Sequence, residues 1–371
     1  MSKQILITGG TGYLGKCLAK KYLNCTDESI LLSIRAKNET DFKNKIEVIN
    51  REIGNLNRRV SYVQINLEEA QPFQAINTKT IKSIIHTAAI TRFDVEQEDA
   101  RRVNIEGTIK LLKFAEHCCS LENIGLLSTI YSSGLKAGII EERYFSDESG
   151  FANFYEWSKW ETEKCVLEQF SHLPCIVFRS ATVVADDAEG KVTQYNVFHN
   201  TMRLIYLGLL TLLPGKNETP IYLVTGEFVT DAIFEILSFS IQGKQMIYNL
   251  AHSKNSSASL GEIIDTAFET FDRDRKFVKR QVNRPRYIGL RNFNLLMNQV
   301  DSFGSTPTRV ATSIMRPFAE QLYIEKDIRN ERLVAKLDSY TPSNSKELIS
   351  KTCHYLVANN WGNSIPYTVT A

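Results

Sequence analysis

The chain has 371 residues, 43% of them hydrophobic and 23% charged, which is ample for a large core and excludes extended disorder. Its 44 basic and 42 acidic side chains nearly cancel, so no global field draws it to nucleic acid or to an anionic membrane, and any such attraction must be local. Seven cysteines, odd in number and without a C-x-x-C pair, suggest neither a disulfide framework nor a zinc site and fit a reducing compartment.

The N-terminus runs from Met1-Ser2-Lys3-Gln4 straight into Ile5-Leu6-Ile7, leaving no room for a targeting segment, so a cytoplasmic protein is expected. Strands are predicted at QILIT, SILLSIR, VSYVQIN, SIIHTAA, IGLLST and CIVFRSATVV, with helices between them. Two helices carry a 3.6-residue apolar period, one through Leu14, Leu18 and Tyr22, the other through Val103, Gly107, Leu111 and Ala115. IYLVTG and MIYNLA, around the helix EFVTDAIFEILSF, are read as late strands returning to the sheet.

The alternation predicts an α/β fold, a Rossmann-type doubly wound parallel sheet over residues 1–250, with 190–215 contributing to a smaller, mainly helical C-terminal substrate lobe formed by 251–371. The apolar run LIYLGLLTLLP, Leu204 to Pro214, falls short of the ~20 residues that span a bilayer and is read as a core helix or pocket wall. Beyond Ser253 the helical segments are interrupted at Pro285, Pro307, Pro317 and Pro342.

ILITGGTGYLG sets glycines between a hydrophobic strand and an amphipathic helix, where they allow a tight turn and let the backbone meet a pyrophosphate at the helix N-terminus. Two registers fit: Gly10-x-Gly12-x-x-Gly15, and Thr8-Gly9-x-x-Gly12-x-x-Gly15. The second strand ends in Arg35, where an NAD site usually carries an acidic residue for the ribose. A guanidinium there suits a 2′-phosphate, so NADP(H) is the expected cofactor.

In NFYEWSKWETEK, Asn153 to Lys164, Tyr155 and Lys159 stand at i and i+4 and share a helix face. A phenol titrating near 10 is a poor acid at neutral pH, and a neighbouring ammonium lowers its pKa. Thr129, at the C-terminal end of IGLLST, lies where chemistry gathers in open α/β sheets.

TGGTGYLG, Asn66-Leu67, HTAA (His86 to Ala89), VNIEGT, LST and YEWSK together resemble, in order, the extended short-chain dehydrogenases/reductases over the first 250 residues. SIRAK, HTAAITRF, ARRVNIEGTIKLLKFA, LSTIYSSG and NFYEWSKWETE are similar to the acyl-reductase branch: thioester reductase domains, carboxylic acid reductase termini and fatty acyl-CoA reductases. The resemblance implies that Thr129 and Tyr155 bind the carbonyl oxygen, Tyr155 donates the proton, and Lys159 holds the nicotinamide ribose. It further implies a pyrophosphate loop of Thr8, Gly9, Gly12, Tyr13, Leu14 and Gly15, a 2′-phosphate contact at Arg35, an adenine neighbourhood at Asn66 and Leu67, and Ala88 and Ala89 along the cofactor. Two positions depart from the family: Asn66 stands for the common Asp, and Arg179-Ser180 for the usual Arg-Pro.

The resulting expectation is an NADPH-dependent reductase of an acyl thioester, presented on coenzyme A or a carrier protein, yielding aldehyde or alcohol. Reduction of a free ketone or aldehyde is the alternative. Epimerase or dehydratase chemistry is disfavoured by Arg35 and by the lack of an acidic pair after Thr129, and a non-catalytic NADP sensor by the retention of Tyr155 and Lys159. The six histidines lack metal-ligand spacing, His86 is read as structural, and no metal is expected. The basic run Arg273 to Arg291 reads as a solvated face or as a steering surface for an acidic carrier.

Overall fold

The computed structural model describes residues 3–54, 59–238, 246–303, 309 and 313–362; Pro307 lies outside them. Its centre is a parallel sheet of seven strands: β1 (Gln4–Thr8), β2 (Ser29–Ile34), β3 (Val60–Gln64), β4 (Ile81–His86), β5 (Asn123–Thr129), β6 (Cys175–Ser180) and β7 (Met246–Leu250). They lie in the order β7-β6-β5-β4-β1-β2-β3. The chain reverses its direction of growth between β1 and β4, which opens a crevice at their C-terminal ends. Thr8 and His86 are register partners there, as are Thr129 and Ser180 one strand further on.

Both faces of the sheet are covered, which is why the strands read as nearly continuous apolar runs. Along β1, Ile5 and Ile7 join one core with Leu18, while Leu6 points into the opposite core with Leu111 and Val166. Helices α1 (Tyr13–Cys25), α2 (Glu39–Ile53), α3 (Gly107–Ala115), α4 (Phe154–Gln169) and α6 (Gly226–Ser238) flank the sheet, and Tyr22 of α1 meets Phe234 of α6 edge to face at 4.9 Å. The run leading into α3 begins as α-helix at Gln97–Ala100 and loosens into a π-helical stretch, Arg101–Glu106.

A second core gathers α5 (Val197–Tyr206), α7 (Leu260–Phe271), α8 (Arg275–Arg280), α9 (Leu290–Phe303) and α10 (Ser345–Ala358). It is tied back to the sheet lobe by Lys326–Ile328, which pairs in parallel with Gly138–Ile140.

Two strand expectations change. CIVFRSATVV breaks at Ala181, whose N–H donates to Leu250 O at 3.0 Å, and Thr182–Ala185 then pairs with Leu223–Thr225 away from the central sheet. IYLVTG therefore contributes to this small ribbon, and the return to the main sheet is made by β7 alone. Pro285 precedes the short strand Arg286–Ile288, and Pro317 opens the 3₁₀ helix Arg316–Tyr323.

Candidate active site

A cleft of about 750 Å³ runs along the crevice. One end is the β1–α1 turn. Gly9 has φ +76°, and a Cβ there would stand 2.7 Å from Thr87 Oγ1 and 2.9 Å from Ala88 N, so only glycine fits. Gly15 packs against Gly9 O so closely that a Cβ has no space. Of the two registers, the one through Gly9, Gly12 and Gly15 carries these constraints, while Gly10 packs on Leu32. Gly12 caps α1 without a side-chain acceptor, leaving the first N–H groups of the helix facing the cleft with the positive end of its dipole.

His86 braces this turn from below. One ring nitrogen lies 2.7 Å from Thr8 Oγ1 and the other 3.1 Å from Thr108 Oγ1. Burial, aided by the Lys159 charge, pushes its pKa down to about 3, so the ring is neutral and structural, as its place in the sequence suggested.

At the other end Thr129 terminates β5 and caps the following 3₁₀ turn by accepting from Tyr131 N at 3.3 Å. Tyr155 and Lys159 project from α4, whose start is fixed by Asn153 accepting from Glu156 N at 3.0 Å. Tyr155 and Thr129 face the same cleft. Burial raises the phenol well above its ordinary range, and the nearby Thr129 side chain opposes this only in part. The lowering expected from Lys159 is absent because desolvation prevails and the ammonium donates instead to Leu127 O at 2.9 Å. Burial brings Lys159 itself down to about 8, with Glu163 pulling the other way.

Gly12, Tyr13, Leu14, Gly15, Ala89, Thr129, Tyr155 and Lys159 all line the cleft. Thr8, Gly9 and Ala88 lie directly behind its wall, where Ala88 N donates to Thr8 Oγ1 at 3.3 Å. The remaining three are differently disposed. Arg35 is exposed past the end of β2, and its side chain forms no ion pair among the described residues. Asn66 Oδ1 accepts from Glu68 N at 3.2 Å, closing a turn, and Leu67 is buried against Gly107.

Several residues that the motifs did not single out hold the site together. Asn104, on the π-helical stretch, accepts from Ile90 N at 2.8 Å and donates to Ile90 O at 3.0 Å and to Ser158 Oγ at 2.9 Å. Ser158 Oγ in turn donates to Tyr155 O at 2.8 Å, so a widened turn clamps the helix bearing Tyr155. Glu163 and Arg179 form a fully buried ion pair, with Arg179 Nε 3.1 and 3.0 Å from the two carboxylate oxygens. Ser128, the neighbour of Thr129, donates to Glu163 Oε1 at 2.5 Å. Arg179 is also the first of the two residues standing where Arg-Pro is usual; Ser180 stays in the ladder as the last residue of β6.

A parallel sheet with this crevice, a glycine turn at a helix N-terminus and a Thr-Tyr-Lys group define an NAD(P)-dependent oxidoreductase of the extended short-chain dehydrogenase/reductase type. Residues 7–233 match the model of the NAD-binding Male sterility protein family, and the chain belongs to that family. A fatty acyl-CoA reductase of Drosophila melanogaster, wat, is 26% identical over 275 residues, 62% of this chain and 53% of its own. An isonitrile lipopeptide synthase of Streptomyces coeruleorubidus is 26% identical over 54% of this chain and 14% of its own, so the chain spans about half of the first relative and a small part of the second. The terminal R domain of the myxalamid PKS-NRPS pathway superposes with a TM-score of 0.76 at 19% identity, over 97% of this chain and 92% of that one, a likeness of fold. Among the described residues no helix is long and apolar enough to cross a membrane, and no cluster of metal-ligating side chains occurs.

Proposed function

We propose that the chain is an NADPH-dependent reductase of acyl thioesters, yielding an aldehyde or, in a second reduction, an alcohol. The observation that carries this is the convergence of Thr129, Tyr155 and, one turn on, Lys159 on one cleft that starts at the uncapped N-terminus of α1. The fit of a dinucleotide rests on that turn: Gly9, Gly12 and Gly15 keep the space a Cβ would fill, and free N–H groups suit a pyrophosphate. Bound there, the nicotinamide supplies a hydride.

Thr129 and Tyr155 hold the thioester carbonyl oxygen and stabilise the negative charge that develops on it. Because burial keeps Tyr155 protonated, it serves as a hydrogen-bond donor throughout and as proton donor when an aldehyde is reduced further. In the first reduction the C–S bond breaks and the thiol leaves with a proton. Lys159 holds the ribose and contributes positive charge below its pKa of about 8. Arg35, exposed and without an ion-pair partner among the described residues, is available to a 2′-phosphate, which supports NADPH over NADH.

The thioester reading further rests on the fatty acyl-CoA reductase relatives. Delivery on coenzyme A or on an acidic carrier is supported by the segment Arg273 to Arg291, which holds eight basic residues and one acidic one in a chain of net charge +2, so the remainder carries −5. In the structure most of these cations are exposed on and around α8.

The test is oxidation of NADPH with purified protein and a panel of acyl-CoA thioesters, free aldehydes and ketones. Thioester-dependent oxidation with release of free thiol is expected. Turnover of free carbonyls without any thioester overturns the reading in favour of a carbonyl reductase.

A further inference from the structure

A second cavity of about 90 Å³ lies beside the cleft, between the sheet lobe and the C-terminal lobe. Its walls are apolar, drawn from Met202 of α5, Leu213, Leu260, Ile263 and Ile264 of α7, and Leu322. Phe93, Tyr131, Thr182 and Val197 line both spaces and form the partition between them. The Phe93 ring stands 5.6 Å from that of Tyr155 and 6.4 Å from that of Tyr131, so the partition begins at the reacting group. It is closed by few bonds: Tyr131 Oη and Thr182 Oγ1 are 3.4 Å apart, a weak link. Protein interiors normally pack out a void of this size, because keeping it is destabilising.

Most of the polar groups on the wall are engaged elsewhere. Glu156 accepts from Gln321 Nε2 at 2.8 Å and from Ala152 N at 3.1 Å, and Lys326 Nζ donates to Ser133 Oγ at 2.8 Å and to Gly134 O. They buttress the chamber and leave its free surface mainly hydrocarbon, with Gln321 Oε1 buried at its wall without a partner.

We infer that this chamber takes the alkyl tail of the acyl substrate, entering between Phe93 and Tyr131, and that its size restricts the enzyme to short and medium chains. The inference rests on the thioester-reductase reading and adds the substrate class. An apolar cavity of about 150 Å³ holds the six carbons of a benzene, so the chamber, at about 90 Å³, holds roughly three to four carbon groups. With the carbonyl carbon at Tyr155 and one methylene at the partition, the acyl chain has roughly five to six carbons.

The experiment uses the full chain with NADPH and saturated acyl-CoA thioesters from acetyl to stearoyl, alongside the aldehydes of the same lengths. Up to the chamber's capacity kcat/KM rises by about fourfold for each methylene buried. Palmitoyl and stearoyl thioesters fall at least tenfold below the optimum. Met202→Ala moves the optimum to longer chains and Ile263→Phe to shorter ones, with hexanoyl-CoA the first substrate affected by the latter. Thermal melting with NADPH identifies a variant that fails to fold, and the wild-type length profile then decides alone.

A thioester profile flat in length, or one highest at palmitoyl and stearoyl, overturns the chamber assignment while leaving thioester reduction intact. A length optimum seen with aldehydes but no thioester turnover supports the chamber and overturns the thioester reading. Unchanged length preference in folded Met202→Ala and Ile263→Phe enzymes also overturns the assignment.

Discussion

Replacing Arg179 with Met tests whether the buried ion pair organises the catalytic end of the sheet. Arg179 is 0% and Glu163 2% exposed, and the guanidinium also donates to Arg143 O at 3.0 Å and to Glu141 O at 3.4 Å. Removing the cation leaves a carboxylate in the interior with Ser128 Oγ as its remaining donor among the described residues and Lys159 as a nearby charge, at a cost of about 3–5 kcal/mol. Removing both charges, as in Arg179→Met with Glu163→Leu, eliminates the uncompensated charge but orphans Ser128 and two backbone carbonyls, each worth about 1 kcal/mol or more. The double variant should therefore recover part of the loss, and the cycle should show a coupling of at least about 2 kcal/mol. Equilibrium unfolding in urea at fixed pH, with unchanged m-values, reads these differences. A loss below about 1 kcal/mol in Arg179→Met, or a strictly additive double variant, refutes the reasoning. Because Ser128 precedes Thr129, the single variant should also lower kcat for whichever substrate is turned over, even under conditions where it is fully folded.

Tyr155→Phe should lower kcat by about 10²–10⁴-fold with NADPH affinity retained, as read by fluorescence titration; a loss under tenfold contradicts the role of the phenol. Lys159, facing Glu163 and the neutral His86, sits near 8 and loses its charge above that, so kcat/KM should be level on the acid side of pH 8 and decline beyond it. A pH profile level through pH 9 removes Lys159 charge from the mechanism. His86 titrates at about 3 folded and near 6.5 unfolded, so its contribution is present above pH 6.5 and lost as pH falls toward 3, about 5 kcal/mol in all. Acid unfolding of a His86→Gln variant should be correspondingly shallower, and equal acid sensitivity contradicts this. Arg35→Ala should weaken NADPH binding far more than NADH binding in isothermal titration, and equal losses rule out a 2′-phosphate contact.

How much of this could be read in the sequence depends on the distance over which each requirement acts. TGGTGYLG was legible because its demands are local: the left-handed Gly9 and the close approach of Gly15 are imposed by one turn on itself. Tyr155 and Lys159 were legible because one helical turn fixes their relation. The next residue of that series, Glu163, is again four positions on and faces the same way, and Arg179 interrupts an otherwise apolar strand buried on both sides. Those two signals together could have revealed the buried pair, since an arginine on such a strand needs a partner, but that pair is not among the sequence-based expectations above. The break of CIVFRSATVV at Ala181 was not legible, because the bond that causes it comes from Leu250, about seventy residues away. The chamber is further still from local pattern. Phe93, Tyr131, Met202, Leu260 and Leu322 come from five separate segments, and each looks like ordinary core in its own stretch. Thr129, Tyr155 and Lys159 stand on one strand end and one helix, whereas the chamber has walls that only the assembled lobes create. That division is why the grouping around Tyr155 could be read from local pattern and the chamber required the fold.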